Sequence, residues 1–179
     1  MTLFGLSSGL VPGLARAEVT RSEPQRSTID TAKYVVQLGV MRNATSVGNA
    51  SLPDVMRAAA RARASLLPGA LVIDDPADPL LKKAASMHLA VLILDGQISR
   101  LSQAESNGSV TVAAQVDFVV RRGSDQSLKG TFQGGAAGSD SPRVLASRAR
   151  LDRFHNEVVS GAVESALRGA DKGLAEAAK

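Results

Sequence analysis

The sequence of 179 residues has no cysteine and no tryptophan, and its aromatics stop at one tyrosine and four phenylalanines. Without cysteine there are no disulfides, thiolate metal sites or thiol nucleophile, and no residue to carry a lipid at a mature N-terminus. So few aromatics leave little of the stacking surface on which single-stranded nucleic acid and sugar rings rest. Histidine is nearly missing as well, with only His88 and His155. Neither has a partner at HxxxH or HExxH spacing, and each falls in a stretch that reads as helix, without the company a catalytic triad requires. The glycines at 134, 135 and 138 are not followed by the Lys-Ser or Lys-Thr of a phosphate loop. No catalytic residue, cofactor or metal site is therefore expected, and the chain reads as a binding protein rather than an enzyme.

One carboxylate cluster, Asp74, Asp75 and Asp78, is open to two readings. Oxygen ligands suit a hard cation, but acidic residues and prolines at a strand-to-helix junction are also what a turn and a helix cap require, and capping is the stronger reading. Positive charge is more plentiful. The formal net charge is +4 and the isoelectric point about 9.8. Arg57, Arg61 and Arg63 lie on one predicted helix, and Arg143, Arg148, Arg150 and Arg153 crowd the start of another. Cations at a helix N-terminus oppose the helix dipole, so the second group does not serve helix stability. Arg57, Arg61, Arg143, Arg148, Arg150 and Arg153 are the candidate contacts for a partner or an anion.

Long apolar runs are absent too. Leu3–Leu14 is uncharged but interrupted by Ser7, Ser8, Gly9 and Pro12, and it is far short of the roughly 20 residues of a membrane span. Ala15-Arg16-Ala17 behind it has the small-x-small form of a signal-peptidase site, so residues 1–17 read as a signal peptide. No Lys or Arg precedes the run. That leaves two readings, an export signal truncated at its start and a leader on a cytoplasmic protein. Export predicts a periplasmic or secreted location without stable membrane insertion. Residues 18–33 are polar and read as a flexible lead-in to one domain over 34–179.

The domain alternates periods. Tyr34–Met41 and Ala70–Ile73 are short β-branched strands, each followed by a helix: one from Ser51 as cap to Leu67, one opened by Asp78-Pro79 and running to about His88. Leu89–Leu101 is a long strand in which Gly96 predicts a bend or bulge. Val110–Val120 has the clearest period of two, with Val110, Val112, Ala114, Val116, Phe118 and Val120 on one face. Hairpin-length turns flank it, so its neighbours pair antiparallel with it. The second of these neighbours, Ser127–Ala137, is glycine-rich and belongs at a sheet edge. From Ser141-Pro142 onward one long helical region closes the chain. The fold class is α+β, a mixed sheet in the order β-α-β-α-β-β-β-α.

This order resembles a superfamily of bacterial envelope domains: the soluble domain of the curli-secretion protein, the lipoprotein activators of penicillin-binding proteins, the N-terminal domain of the Tol-system β-propeller protein, and the domain closing some HEAT-repeat proteins. AVLILDGQISRL (90–101) is similar to the family strand in which an apolar run meets a glycine and then Ile-Ser or Ile-Thr. VTVAAQVDFVV and LKGTFQGGAAG are similar to its next two strands. The chain departs from the family in lacking a lipoprotein cysteine and any counterpart of the membrane-inserting segments of the curli protein. The resemblance implies a non-enzymatic assembly, secretion or adaptor role with another envelope protein as partner, and homo-oligomers are compatible with it. The alternative is a module for an anionic polymer, nucleic acid or surface polysaccharide, held by the arginines.

Overall fold

The computed structural model describes residues 27–179; the predicted signal peptide and most of the lead-in lie outside the described residues. The element order is β1 (Tyr34–Asn43), α1 (Leu52–Ala64), β2 (Ala70–Ile73), α2 (Pro79–Ser86), β3 (Ala90–Ser106), β4 (Ser109–Arg122), β5 (Leu128–Asp140), α3 (Arg148–Leu167) and α4 (Ala170–Ala177). The fold is α+β, as the alternation of periods predicts. One mixed sheet runs β2-β1-β3-β4-β5, with β1 parallel to β2 and β3, and the last three strands antiparallel.

Helices α1, α3 and α4 cover one face. Leu52, Met56, Ala60 and Ala64 of α1 and Val158, Val159, Ala162, Val163, Ala166 and Leu167 of α3 bury against Val36, Leu38, Leu92, Leu94, Ile98 and the inward row of β4 from Val112 to Val120. Among the described residues α2 is the one helix on the opposite face. There Ala84 joins Val35, Ile73 and Ile29, a residue of the 18–33 segment, in a small second core. Beyond α2 no other described element covers the outer face of β3, β4 and β5, the usual state of an antiparallel sheet packed on one side.

The predicted elements stand with local differences. The α1 stripe runs at intervals of four from Leu52, and Ala62, placed on that stripe by periodicity, is exposed. Ser51 does not cap α1 with its side chain. Its hydroxyl instead joins Asn49 Oδ1 at 2.8 Å and Asn156 Oδ1 at 3.2 Å, fastening the β1–α1 loop to α3. His88 lies past α2 with φ 57°, in the left-handed position that ends a helix. The closing region is two helices: α3 begins at a Ser147 cap, whose hydroxyl accepts from Arg150 N at 3.3 Å, and Gly169 separates it from α4.

Gly96 is not a bulge. A Cβ there would lie 2.6 Å from Met41 Sδ and 2.8 Å from Phe118 Cε1, so the glycine makes room for core side chains under α1. The bulge of this region is on β1, where Gly39 and Val40 together face Asp95. Both backbone groups freed there are met by side chains. Arg57 Nη2 donates to Gly39 O at 2.7 Å, and Val40 N donates to Asp95 Oδ1 at 2.9 Å. A bulge left without those partners would carry unpaired polar groups at the edge of the core.

Candidate functional site

Among the described residues β5 pairs with β4 alone and ends the sheet. Thirteen residues therefore present one side of their backbone to no other strand. Proteins blunt such edges with charge, proline, shortness or a covering element. β5 has no proline, and its charges, Lys129 and Asp140, sit at its two ends. The opposite edge, β2, is blunted by length, at four residues.

The glycines of β5 divide by what a side chain there would meet. At Gly134 a Cβ would approach Ala166 Cα to 2.6 Å and the backbone atoms Ala162 O and Ala166 N more closely still. At Gly138 it would meet Phe154 at 3.0 Å. These two let α3 lie directly on the strand. Gly130 faces nothing within 4 Å, and Gly135 on the open face meets only Ala114 O at 3.5 Å, an ordinary contact. Glycines without an internal packing reason in a strand leave backbone open to another chain. Phe132 on β5 and Phe154 on α3 are half-buried and pack against the main core. The edge thus offers hydrogen-bonding backbone with half-buried apolar side chains beside it.

The six candidate arginines are not brought into one cluster. Arg57 and Arg61 share Asp74, at 2.8 and 3.3 Å, which fixes α1 to the end of β2. Arg63, on the same helix, donates to Arg168 O at 3.2 Å. Arg148 engages Asp152 at 3.1 Å and Gly48 O at 3.1 Å. Arg143, Arg150 and Arg153 are exposed, and among the described residues none of the three has an ion pair. The acidic cluster is taken up locally: Asp78 caps α2 by accepting from Leu80 N at 2.8 Å, and Asp75 accepts from Ala77 N at 2.8 Å.

His155 is buried on α3 and its Nδ1 has no hydrogen-bond partner. Burial holds its pKa below the ordinary value; Asp152 opposes that shift and Arg148 adds to it.

Sequence reading missed the strongest polar group on the open face. Asp95 Oδ2 accepts from Arg121 Nε at 2.9 Å while its other oxygen holds the bulge. Beside it, Arg42 Nε donates to Gln97 Oε1 at 2.8 Å. The signal was available in the period of β3, which turns Asp95 and Gln97 away from the core-facing Leu94 and Ile98. The pairing of Asp95 with β4 was not, because it depends on register.

No family model matches the sequence, and neither does any curated protein. Solved structures do match. A protein from Xanthomonas campestris is 8% identical over 87% of this chain and 93% of its own, with a TM-score of 0.53. A candidate neuraminyllactose-binding hemagglutinin homolog from Helicobacter pylori is 9% identical over 87% and 91%, with a TM-score of 0.52. A minor lipoprotein from Acinetobacter baumannii is 10% identical over 81% and 92%, with a TM-score of 0.40. At such identities the likeness is one of fold. These neighbours are bacterial proteins, lipoproteins among them. Among the described residues no helix is long and apolar enough to cross a membrane.

Proposed function

We propose that this chain is a non-enzymatic adaptor of the bacterial cell envelope, periplasmic or secreted, which binds an extended segment of another envelope protein as a sixth strand beside β5. The observation that carries this is the uncovered edge of β5, thirteen residues long with its charges confined to the ends. Strand addition draws affinity from main-chain hydrogen bonds and specificity from alternate side chains. Here the incoming strand would place every second side chain against Phe132, Phe154 and the flank of α3, so an alternating apolar sequence fits best. The likeness in fold to bacterial proteins and the signal-peptide pattern of residues 1–17 support an envelope setting.

Gly135 and Ala137 are exposed on the open face of β5. Replacing each by Lys introduces the charge that guarded edges carry. Both variants are expected to keep the wild-type thermal transition and to lose a partner that co-purifies with the wild-type chain from envelope fractions. A partner retained by both variants refutes strand addition. Arg143, Arg150 and Arg153, without ion pairs among the described residues, support a second reading, an anionic polymer as ligand. Its mark is affinity that falls steeply with salt and disappears when the three are replaced by Ser.

A further inference from the structure

At the end of the sheet where β1 begins, a pocket of about 450 Å³ lies between the β1 start, the α1–β2 turn and α4. Lys33, Tyr34 and Pro68 form one side, and Asp171, Lys172, Ala175, Ala178 and Lys179 the other. Tyr34 is only 2% exposed, and its hydroxyl has no hydrogen-bond partner among the described residues. Buried hydroxyls in native proteins almost always have a partner, and an orphan marks a place where water, an ion or a ligand belongs. Lys33 is held in position by its own backbone, whose N–H donates to Gly69 O at 2.8 Å, and its stem packs on Gly69, which has φ 76°. Lys33, Lys172 and Lys179 line the pocket with one aspartate, Asp171, whose charge acts on the Tyr34 hydroxyl; Lys179 bonds Glu176 at 2.7 Å. The remaining walls are proline and alanine.

We propose that this pocket binds a small amphiphile through its anionic group, a carboxylate or a phosphate, with the Tyr34 hydroxyl donating to it and Lys33 and Lys172 neutralising it. The apolar part of the ligand lies against Pro68, Ala175 and Ala178. This site is separate from the β5 edge, and its occupation does not depend on strand addition.

Tyr34 is the only tyrosine and the chain has no tryptophan, so intrinsic emission reports on this pocket alone. The full chain is titrated with octanoate, octyl phosphate and inorganic phosphate. Octanoate or octyl phosphate is expected to give a saturable change in Tyr34 emission, and the stronger of the two identifies the anionic group; inorganic phosphate is expected to bind more weakly for want of the apolar part. Lys33→Met and Lys172→Met should each weaken binding about tenfold or more, with thermal stability unchanged. Tyr34→Phe, followed by calorimetry because it loses the fluorophore, should weaken it as well. No saturable change with any probe, or affinity unchanged in both lysine variants, overturns the proposal.

Discussion

Gly134→Ala adds one methyl group at the point where α3 touches β5. The new Cβ would stand 2.6 Å from Ala166 Cα, with Ala162 O and Ala166 N nearer. Carbon–carbon contacts settle at about 3.5–4.0 Å, so α3 must retreat by roughly 1 Å. The obstructing atoms are backbone and cannot swing aside as a side chain would. Overpacking costs about 1–3 kcal/mol, and this site belongs at the upper end. The alanine recovers about 0.4–1 kcal/mol through reduced freedom of the unfolded chain. The expected net loss is about 2 kcal/mol, a large share of the roughly 5–15 kcal/mol that holds a domain together. In a thermal scan it appears as a fall in Tm of roughly 4–8 °C. Gly130→Ala is the matched control on the same strand, because its Cβ would meet nothing within 4 Å. It is expected to leave Tm unchanged or slightly raised. If Gly134→Ala is as stable as wild type, or Gly130→Ala loses as much, the close seating of α3 on the edge strand is refuted.

Asp95→Ala removes the acceptor of both Val40 N and Arg121, and urea unfolding should show a loss of about 1–3 kcal/mol, with Asp95→Asn in between. His155 has its pKa lowered by burial from the ordinary 6.5. The unfolded chain therefore binds the extra proton first, so stability should fall as pH drops below 6.5 towards the folded value, and His155→Gln should flatten that slope. Burial, with the Asp171 charge behind it, raises the Tyr34 pKa above 10.0. The folded chain then holds a proton that the unfolded chain releases, so stability should decline as pH rises above 10.0. Absorbance of the single tyrosine should titrate later in the folded than in the urea-unfolded protein; coincident curves would contradict its burial.

Local pattern carried most of the fold. The six inward residues of β4 are buried as their period of two requires, and Asp78-Pro79 opens α2 because its chemistry is complete within three residues. The edge position of β5 was also legible, since four glycines in one strand are costly anywhere else. What failed rests on tertiary partners. Ser51 has the residue type of a cap but found Asn49 and Asn156 instead. Gly96 has the composition of a bulge, yet it is empty space reserved for Met41, Met56 and Phe118, residues far apart in the chain. The arginines show the same limit. Sequence did not show which of them pair: Asp74 takes Arg57 and Arg61, and Asp152 takes Arg148. The Tyr34 pocket was invisible for the same reason, being assembled from residues 33–34, 68 and 171–179.

Photo-crosslinking in living cells tests strand addition most directly. Benzoylphenylalanine is placed in turn at Thr131 on β5 and at Lys82 on α2, both exposed. The prediction is a discrete protein adduct from Thr131 that is missing from Lys82 and lost when Ala137→Lys is added. An adduct of equal strength from both positions, or none from β5, contradicts the account.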